Sequence, residues 1–447
     1  MPEKALTHFR AFLNEKWASL LYTVLACLAV SFSLEHYAIP LFILWILFVL
    51  LLDGSFLNVF LPVTLLCGFA IRTSGQSTIL LDHLWLAVPV VIVIAIHFVL
   101  YGQKRKLGVL FFAQTAISAA LLLGGLFYIS AENYFKPDAL YYVFFLGVGM
   151  IFFYAWFRNG VFSNEYYDVR EKLMECFWYL GIFCTWSILD QTVRFLLTSG
   201  VFYKPYVWSN DICELMLFCI PAAFYYARNR YVCLTAGLAF YGVMFLTQSY
   251  SAILCGFLLL VLCFAYLLKQ SKAHRIFTVS LLTALCLAGA IGFGWLVYDR
   301  GGLAALFTAE ENGRLALIQN AWQNFLASPI FGVGVGDPGT GSATFMTVNW
   351  THNLLFQVLG SLGIVGLLAY GYQLYKRCRL VFASPDPFRL AAGLSYLGIF
   401  LISMFQPGEF CPMPYAMMAV MIFTVLENSD EERAQKAEKE GKSAISA

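Results

Sequence analysis

Charge is scarce in this chain. Only 12% of its 447 residues are Asp, Glu, Lys or Arg, while 60% are apolar and 17% aromatic. A soluble domain carries about 25% charge, and its interior could not hide so much apolar surface, so that class is excluded. Metal-ligand spacing is also missing. Twelve cysteines are present, but no C-x-x-C or Cys/His grouping joins them. Cys27, Cys67, Cys184, Cys219, Cys255, Cys263 and Cys286 lie inside apolar runs, where a thiol serves as a small hydrophobe. Neither a metal site nor a disulfide framework follows, and no cofactor is expected. The formal net charge is +2, with cations at the ends of apolar runs rather than in a stripe, so nucleic acid is not an expected partner. No repeat of fixed period is found. The first apolar run lacks a cleavage pattern behind it and reads as a retained helix after a polar, amphipathic start at residues 1–16.

What remains is a succession of apolar runs, most long enough to cross a bilayer as a helix. Spans are expected near 17–34, 38–52, 56–71, 81–101, 107–129, 139–157, 173–191, 210–227, 231–247, 252–268, 276–298, 353–375, 390–405 and 413–426. The fold class is therefore all-α, a polytopic transmembrane helical bundle of about 14 spans. With the first residues in the cytoplasm, the cation-rich loops at Lys104-Arg105-Lys106, Arg170/Lys172, Arg228/Arg230, Lys269/Lys272/Arg275 and Lys376-Arg377/Arg379 all fall inside. Outer loops carry scattered cations only: Arg72, Lys136, Arg194, Lys204, Arg300 and Arg314. Residues 1–200 are then an N-terminal set of helices, and 201–426 a second membrane domain with an outer loop at 299–351. The Glu/Lys/Ala-rich residues 427–447 form a cytoplasmic tail, expected to be disordered or loosely helical.

The outer loop concentrates the polar chemistry. Leu315, Ile318, Trp322 and Phe325 recur at helical spacing between Asn312 and Ala327, which predicts a short amphipathic helix on the membrane surface with Arg314 in its first turn. An arginine there presents a planar fork to phosphate oxygens, or else simply snorkels to lipid headgroups. His352, followed by Asn353, opens the next span. A neutral imidazole at that depth can take a proton from a hydroxyl, or can make one structural hydrogen bond. The stretch Gly332-Val333-Gly334-Val335-Gly336-Asp337-Pro338-Gly339 follows a helix rather than a strand, so a dinucleotide loop is excluded by context. It either cups a phosphate or lets the chain turn tightly. Asp190 and Arg194 stand four apart at the outer end of one helix, spaced to pair. Glu214 lies one turn into the following span, after Asn210 and Asp211, while Glu175 and Asp53 lie toward the inner face. Acids in membrane spans are costly, which makes each of them a candidate.

Taken in order, Asn312-Gly313-Arg314-Leu315, Pro329-Ile330-Phe331-Gly332-Val333-Gly334, and His352-Asn353 with Gly363 and Gly366 resemble the O-antigen ligase/polymerase family. Upstream, Trp208-Ser209-Asn210 leading to Pro221 resembles the family's entry to a mid-chain span, and Thr247-Gln248-Ser249 its "T-x-S-R" motif. The likeness is fullest over 252–375 and reaches back to about 201. Two positions depart: Tyr250 stands where the family has Arg, and Ser361 where it often has Glu.

The resemblance implies a metal-independent, inverting glycosyl transfer on the outer face of a bacterial cytoplasmic membrane. The donor would be a polyprenyl-diphosphate-linked glycan and the acceptor a hydroxyl of a glycan or glycolipid, both met among membrane lipids. Arg314 would hold the diphosphate and His352 activate the acceptor, with Asn353 fixing the His. Arg300 and Arg194 would be further phosphate contacts, and Asn210, Glu214 and Asp190 would line the groove or orient an arginine. A ligase is favoured by the single late outer loop; a polymerase of lipid-linked repeat units for O-antigen, capsule or exopolysaccharide is the alternative. A lipid-linked oligosaccharide flippase is the rival of another class, expected to show a charged central cavity and two related halves.

Overall fold

The computed structural model describes residues 3–72, 84–200, 209–272, 274–299, 314–336 and 351–445. Among these residues there is no strand. Five helices are long and apolar enough to cross a membrane: Glu35–Leu52, Pro137–Gly160, Tyr250–Gln270, Arg275–Trp295 and Leu354–Phe382. Six shorter apolar helices accompany them, among them Lys16–Ser31, Leu57–Arg72, Val109–Leu123 and Pro387–Ile402.

Burial follows composition. The helix Ser209–Ala227 is apolar on nearly every side, and Ile212 through Ala223 are almost wholly enclosed. A helix without a polar face belongs in the middle of a bundle, and this one packs against Val169–Ser199, Cys233–Met244, Tyr250–Gln270 and Pro387–Ile402. Arg275–Asp299 is the opposite case. It rests mainly on Tyr250–Gln270 and turns Ile276, Leu287, Ile291, Phe293 and Trp295 outward, as a helix at the lipid boundary does.

Helix starts are written in the sequence as caps. Asp168 accepts from Arg170 N at 2.8 Å before Val169–Ser199, and Asp386 accepts from Phe388 N at 3.0 Å, with Pro387 in the first turn of Pro387–Ile402. Val169–Ser199 has 31 residues, well beyond the expected 173–191: its polar first turn precedes that range and Thr192 to Ser199 continue the helix after it. The expected span at 139–157 is instead Pro137–Phe144 and Met150–Gly160 joined by a widened π turn at Phe145–Gly149.

The last part of the chain differs most from expectation. After Pro387–Ile402, residues 403–416 return into the bundle rather than staying outside it. Ser403, Gln406, Glu409, Phe410 and Tyr415 are all buried, and Glu409 forms an enclosed ion pair with Arg377 while accepting from Tyr396 Oη at 2.9 Å. Met417–Ile445 then runs as one helix through the segment expected to be a loose tail. Its polar turns are held by opposite charge. Arg158, with no exposed surface, bonds Asn428 and Glu431, Arg389 bonds Asp430, and Tyr154 Oη donates to Glu427 Oε2 at 2.6 Å.

Candidate functional site

The break in Leu354–Phe382 organises the polar end of the bundle. Gly363 has φ 63° and ψ −156°, which interrupts the helix after two turns. Peptide groups near the break bond the segment after Arg314–Ala327. Val333 N donates to Gly360 O at 3.0 Å and Gly334 N to Ser361 O at 2.9 Å. In return, Ile364 N donates to Pro329 O at 2.9 Å and Val365 N to Ile330 O at 3.1 Å. The stretch 329–334 is thus a backbone brace fitted into the helix. Two glycines permit it. A Cβ on Gly332 would lie 2.3 Å from the Ser361 carbonyl carbon, and one on Gly363 would lie 2.5 Å from Ile330 O. Of the two readings of this Gly-rich segment, the tight turn accounts for Gly332 and Gly334. Asp337, Pro338 and Gly339 lie outside the described residues.

The helix Arg314–Ala327 begins within two residues of its expected start and packs against Leu354–Phe382. Its buried residues are small or polar, Ala321 and Asn324, whereas Leu315 and Trp322 are exposed at 63% and 45%. Ala321 meets Gly360 closely, since a Cβ at Gly360 would come 3.0 Å from Ala321 O. Leu315 and Trp322 thus turn away from the protein, as they would if the helix rests against lipid, while Ile318 and Phe325 of the same stripe are half-buried. Arg314 is the first residue of this helix. Arg300 lies outside the described residues.

His352 stands at the other end of the same unit. Asn353 caps the broken helix: its Oδ1 accepts from Phe356 N at 3.1 Å, and its Nδ2 donates to Met404 O at 2.8 Å. Leu354 N donates to Ser403 O at 2.7 Å, tying the cap to the start of the returning segment. Thr351 N donates to Gln357 Oε1 at 2.8 Å, and Gln357 Nε2 donates to Ser361 Oγ at 3.1 Å, so Ser361 serves this network. Between Thr351 and the cap, His352 adopts φ 51°, a left-handed conformation that His tolerates better than most residues. Its half-buried ring has Nδ1 3.1 Å from Gln406 Oε1. Gln406 is 3% exposed, and its Nε2 has no hydrogen-bond partner among the described residues. The sequence reading missed Gln406. It is 54 residues from His352, and a lone Gln in an apolar segment carries no pattern.

Two other expected positions meet. Ser249 Oγ donates to Asn210 Oδ1, and Cys213 Sγ lies 3.2 Å from Thr247 Oγ1, so the entry of one helix and the Thr247-Gln248-Ser249 corner form one contact. Gln248 turns that corner with φ 55°. Tyr250, in the family's Arg position, is 65% exposed. Glu214 is enclosed with neither carboxyl oxygen partnered among the described residues, one turn from Asp211, whose backbone carbonyl accepts from Tyr415 Oη at 2.8 Å. Arg194 belongs to a different group. Its Nε is 2.9 Å from Asp190, which also bonds Arg72 at 2.8 Å, while Arg72 reaches Glu35 at 2.7 Å. The remaining Arg194 nitrogens bond Ser33 Oγ and the carbonyls of Val30 and Ser31. The pairing expected for Asp190 and Arg194 is therefore present, and it fastens the turn after Lys16–Ser31. Inside, Glu175 accepts from Lys172 and Ser19, and Asp53 from Asn58, so both acids serve helix contacts.

Fold and site define a helical membrane protein whose polar end is built around a braced, broken helix and a capped histidine. Residues 234–371 match the family model described as O-antigen ligase. The match takes in Thr247 to Ser249, Arg314, the 329–334 brace, His352 and Asn353. Over this stretch, under a third of the chain, the protein is similar to the O-antigen ligase family. No curated protein matches it.

Proposed function

We propose that the protein transfers a glycan from a polyprenyl-diphosphate donor to an acceptor hydroxyl at the outer face of a bacterial cytoplasmic membrane. The observation that carries this reading is the position of His352, between the cap at Asn353 and the amide of Gln406, within the O-antigen ligase domain. In this reading about 14 spans leave both ends of the chain in the cytoplasm, as the cation bias suggests.

His352 accepts the proton of the acceptor hydroxyl as its oxygen attacks the anomeric carbon, and the glycosyl–phosphate bond breaks with inversion. Arg314 stabilises the charge that collects on the leaving diphosphate. Arg300 is the second cation for that group. Arg194 is less suited to it, because its donors are already engaged by Asp190 and backbone carbonyls. Asn353 fixes the histidine backbone. Asn210, half-buried at the helix entry, lines the approach, and the enclosed Glu214 stands one turn behind it. Energy stored in the diphosphate donor makes a nucleotide sugar unnecessary.

The test is transfer by purified protein in detergent, where vesicle-bound transport is not measured. Wild type should move the glycan. Correctly inserted His352→Ala and Arg314→Ala should each lose about 100-fold or more. Full activity in both would refute the assignment. We favour ligase over polymerase, on the single late outer loop. A ligase uses a chemically distinct acceptor, whereas a polymerase extends one lipid-linked chain with another.

A further inference from the structure

We propose that Gln406 is a positioning residue that sets the tautomer of His352, keeping the proton on Nδ1 and the lone pair on Nε2. The inference rests on the reading of His352 as the base and names the group that makes it one.

A neutral imidazole has one donor and one acceptor nitrogen, and the partner of either ring nitrogen decides which is which. Here Nδ1 faces Gln406 Oε1 at 3.1 Å. An amide oxygen only accepts, so in this orientation of Gln406 the hydrogen belongs on Nδ1. An amide turned the other way would donate to Nδ1, move the proton to Nε2, and make the ring a donor there instead of a base. The backbone that carries Gln406 is held in place. Its backbone N donates to Ile402 O at 2.9 Å, and its neighbours Ser403 and Met404 bond Leu354 and Asn353 across the cap. Glu409, on the same returning segment, is occupied by Arg377 and Tyr396. The group this segment presents to Nδ1 is thus a neutral amide.

The unpartnered Nε2 of Gln406 supports a functional role. A buried amide with half its capacity unused is a poor packing choice beside apolar alternatives. It becomes reasonable if a bound ligand rich in oxygen acceptors completes the hydrogen bonds.

Two readouts test this on the full-length protein. In transfer kinetics, Gln406→Leu should lower kcat about 10-fold or more with KM little changed. Gln406→Glu should retain more activity at high pH, with the acidic limb of its pH–rate profile displaced upward by about one unit, because a carboxylate at Nδ1 favours the imidazolium. Purely structural loss would lower the yield of folded protein and leave the limb where it was; that result would overturn the proposal. Independently, nitrogen-15 NMR of labelled histidine, with His352→Asn subtracted to isolate one of the six histidines, should show Nδ1–H in wild type and mixed tautomers in Gln406→Leu. An Nε2–H signal in wild type, or no change in the variant, would overturn the tautomer assignment whatever the kinetics. If His352→Ala kept full transfer while the NMR behaved as expected, the base reading would fail and the tautomer assignment would stand.

Discussion

Asn353 shows how one side chain can hold two segments together. Its oxygen caps the broken helix and its amide nitrogen bonds Met404 O, so the residue after His352 is fixed on two sides. Asn353→Ala removes both bonds. It should cost about 1 kcal/mol through the cap, visible as a lower Tm in detergent, and should reduce transfer further by freeing His352. A variant with unchanged Tm and transfer would remove Asn353 from both roles. At this scale the sequence was partly legible. His352, Asn353 and Arg314 stood out as candidates because polar residues at the edge of apolar runs are conspicuous. The Asp190–Arg194 pair was visible from helical spacing. What spacing could not reveal was that Arg72 and Glu35 complete that pair from other helices, or that Gln406 reaches the imidazole from a segment 54 residues away.

Among the elements, the brace at 329–334 matters most, because four backbone hydrogen bonds tie it, and the Arg314 helix before it, to the His352 helix. Gly332→Ala and Gly363→Ala each drive a Cβ into peptide groups of the partner segment. Each should destabilise by roughly 3 kcal/mol or more and lower transfer. Gly371→Ala, in the same broken helix with nothing within 4 Å, is the control and should be near neutral. Equal Tm values in all three variants would contradict the brace. The Arg314–Ala327 helix was readable from apolar periodicity, whereas the break at Gly363 was hidden inside what looked like one apolar span. Periodicity reports which face is apolar; it does not report that a second backbone will bond to the helix.

Across the whole molecule, the lipid-facing belt and the cation-rich loops follow from composition, and so membrane helices were foreseeable. The C-terminal clamp was not. A run rich in Glu, Lys and Ala reads as solvated until partners appear, and Arg158, Arg389 and Tyr154 supply them from distant positions. Arg158→Ala would leave carboxylates facing an emptied, enclosed site, a change that costs about 3 kcal/mol or more. The expected result is reduced accumulation in the membrane and a lower Tm, measured by fluorescence-detected gel filtration after heating. Wild-type values would mean that the tail is held by something other than this arginine.

The most direct measurement is the lipid-linked glycan pool in a deletion strain, complemented with wild type or with His352→Ala. Donor glycans should accumulate on their polyprenyl carrier at the outer leaflet with His352→Ala and be cleared by wild type. Long chains stranded on the carrier are the pattern of a missing ligase, and single repeat units that of a missing polymerase. Units trapped on the inner leaflet, or clearance by His352→Ala equal to wild type, would contradict glycosyl transfer at His352.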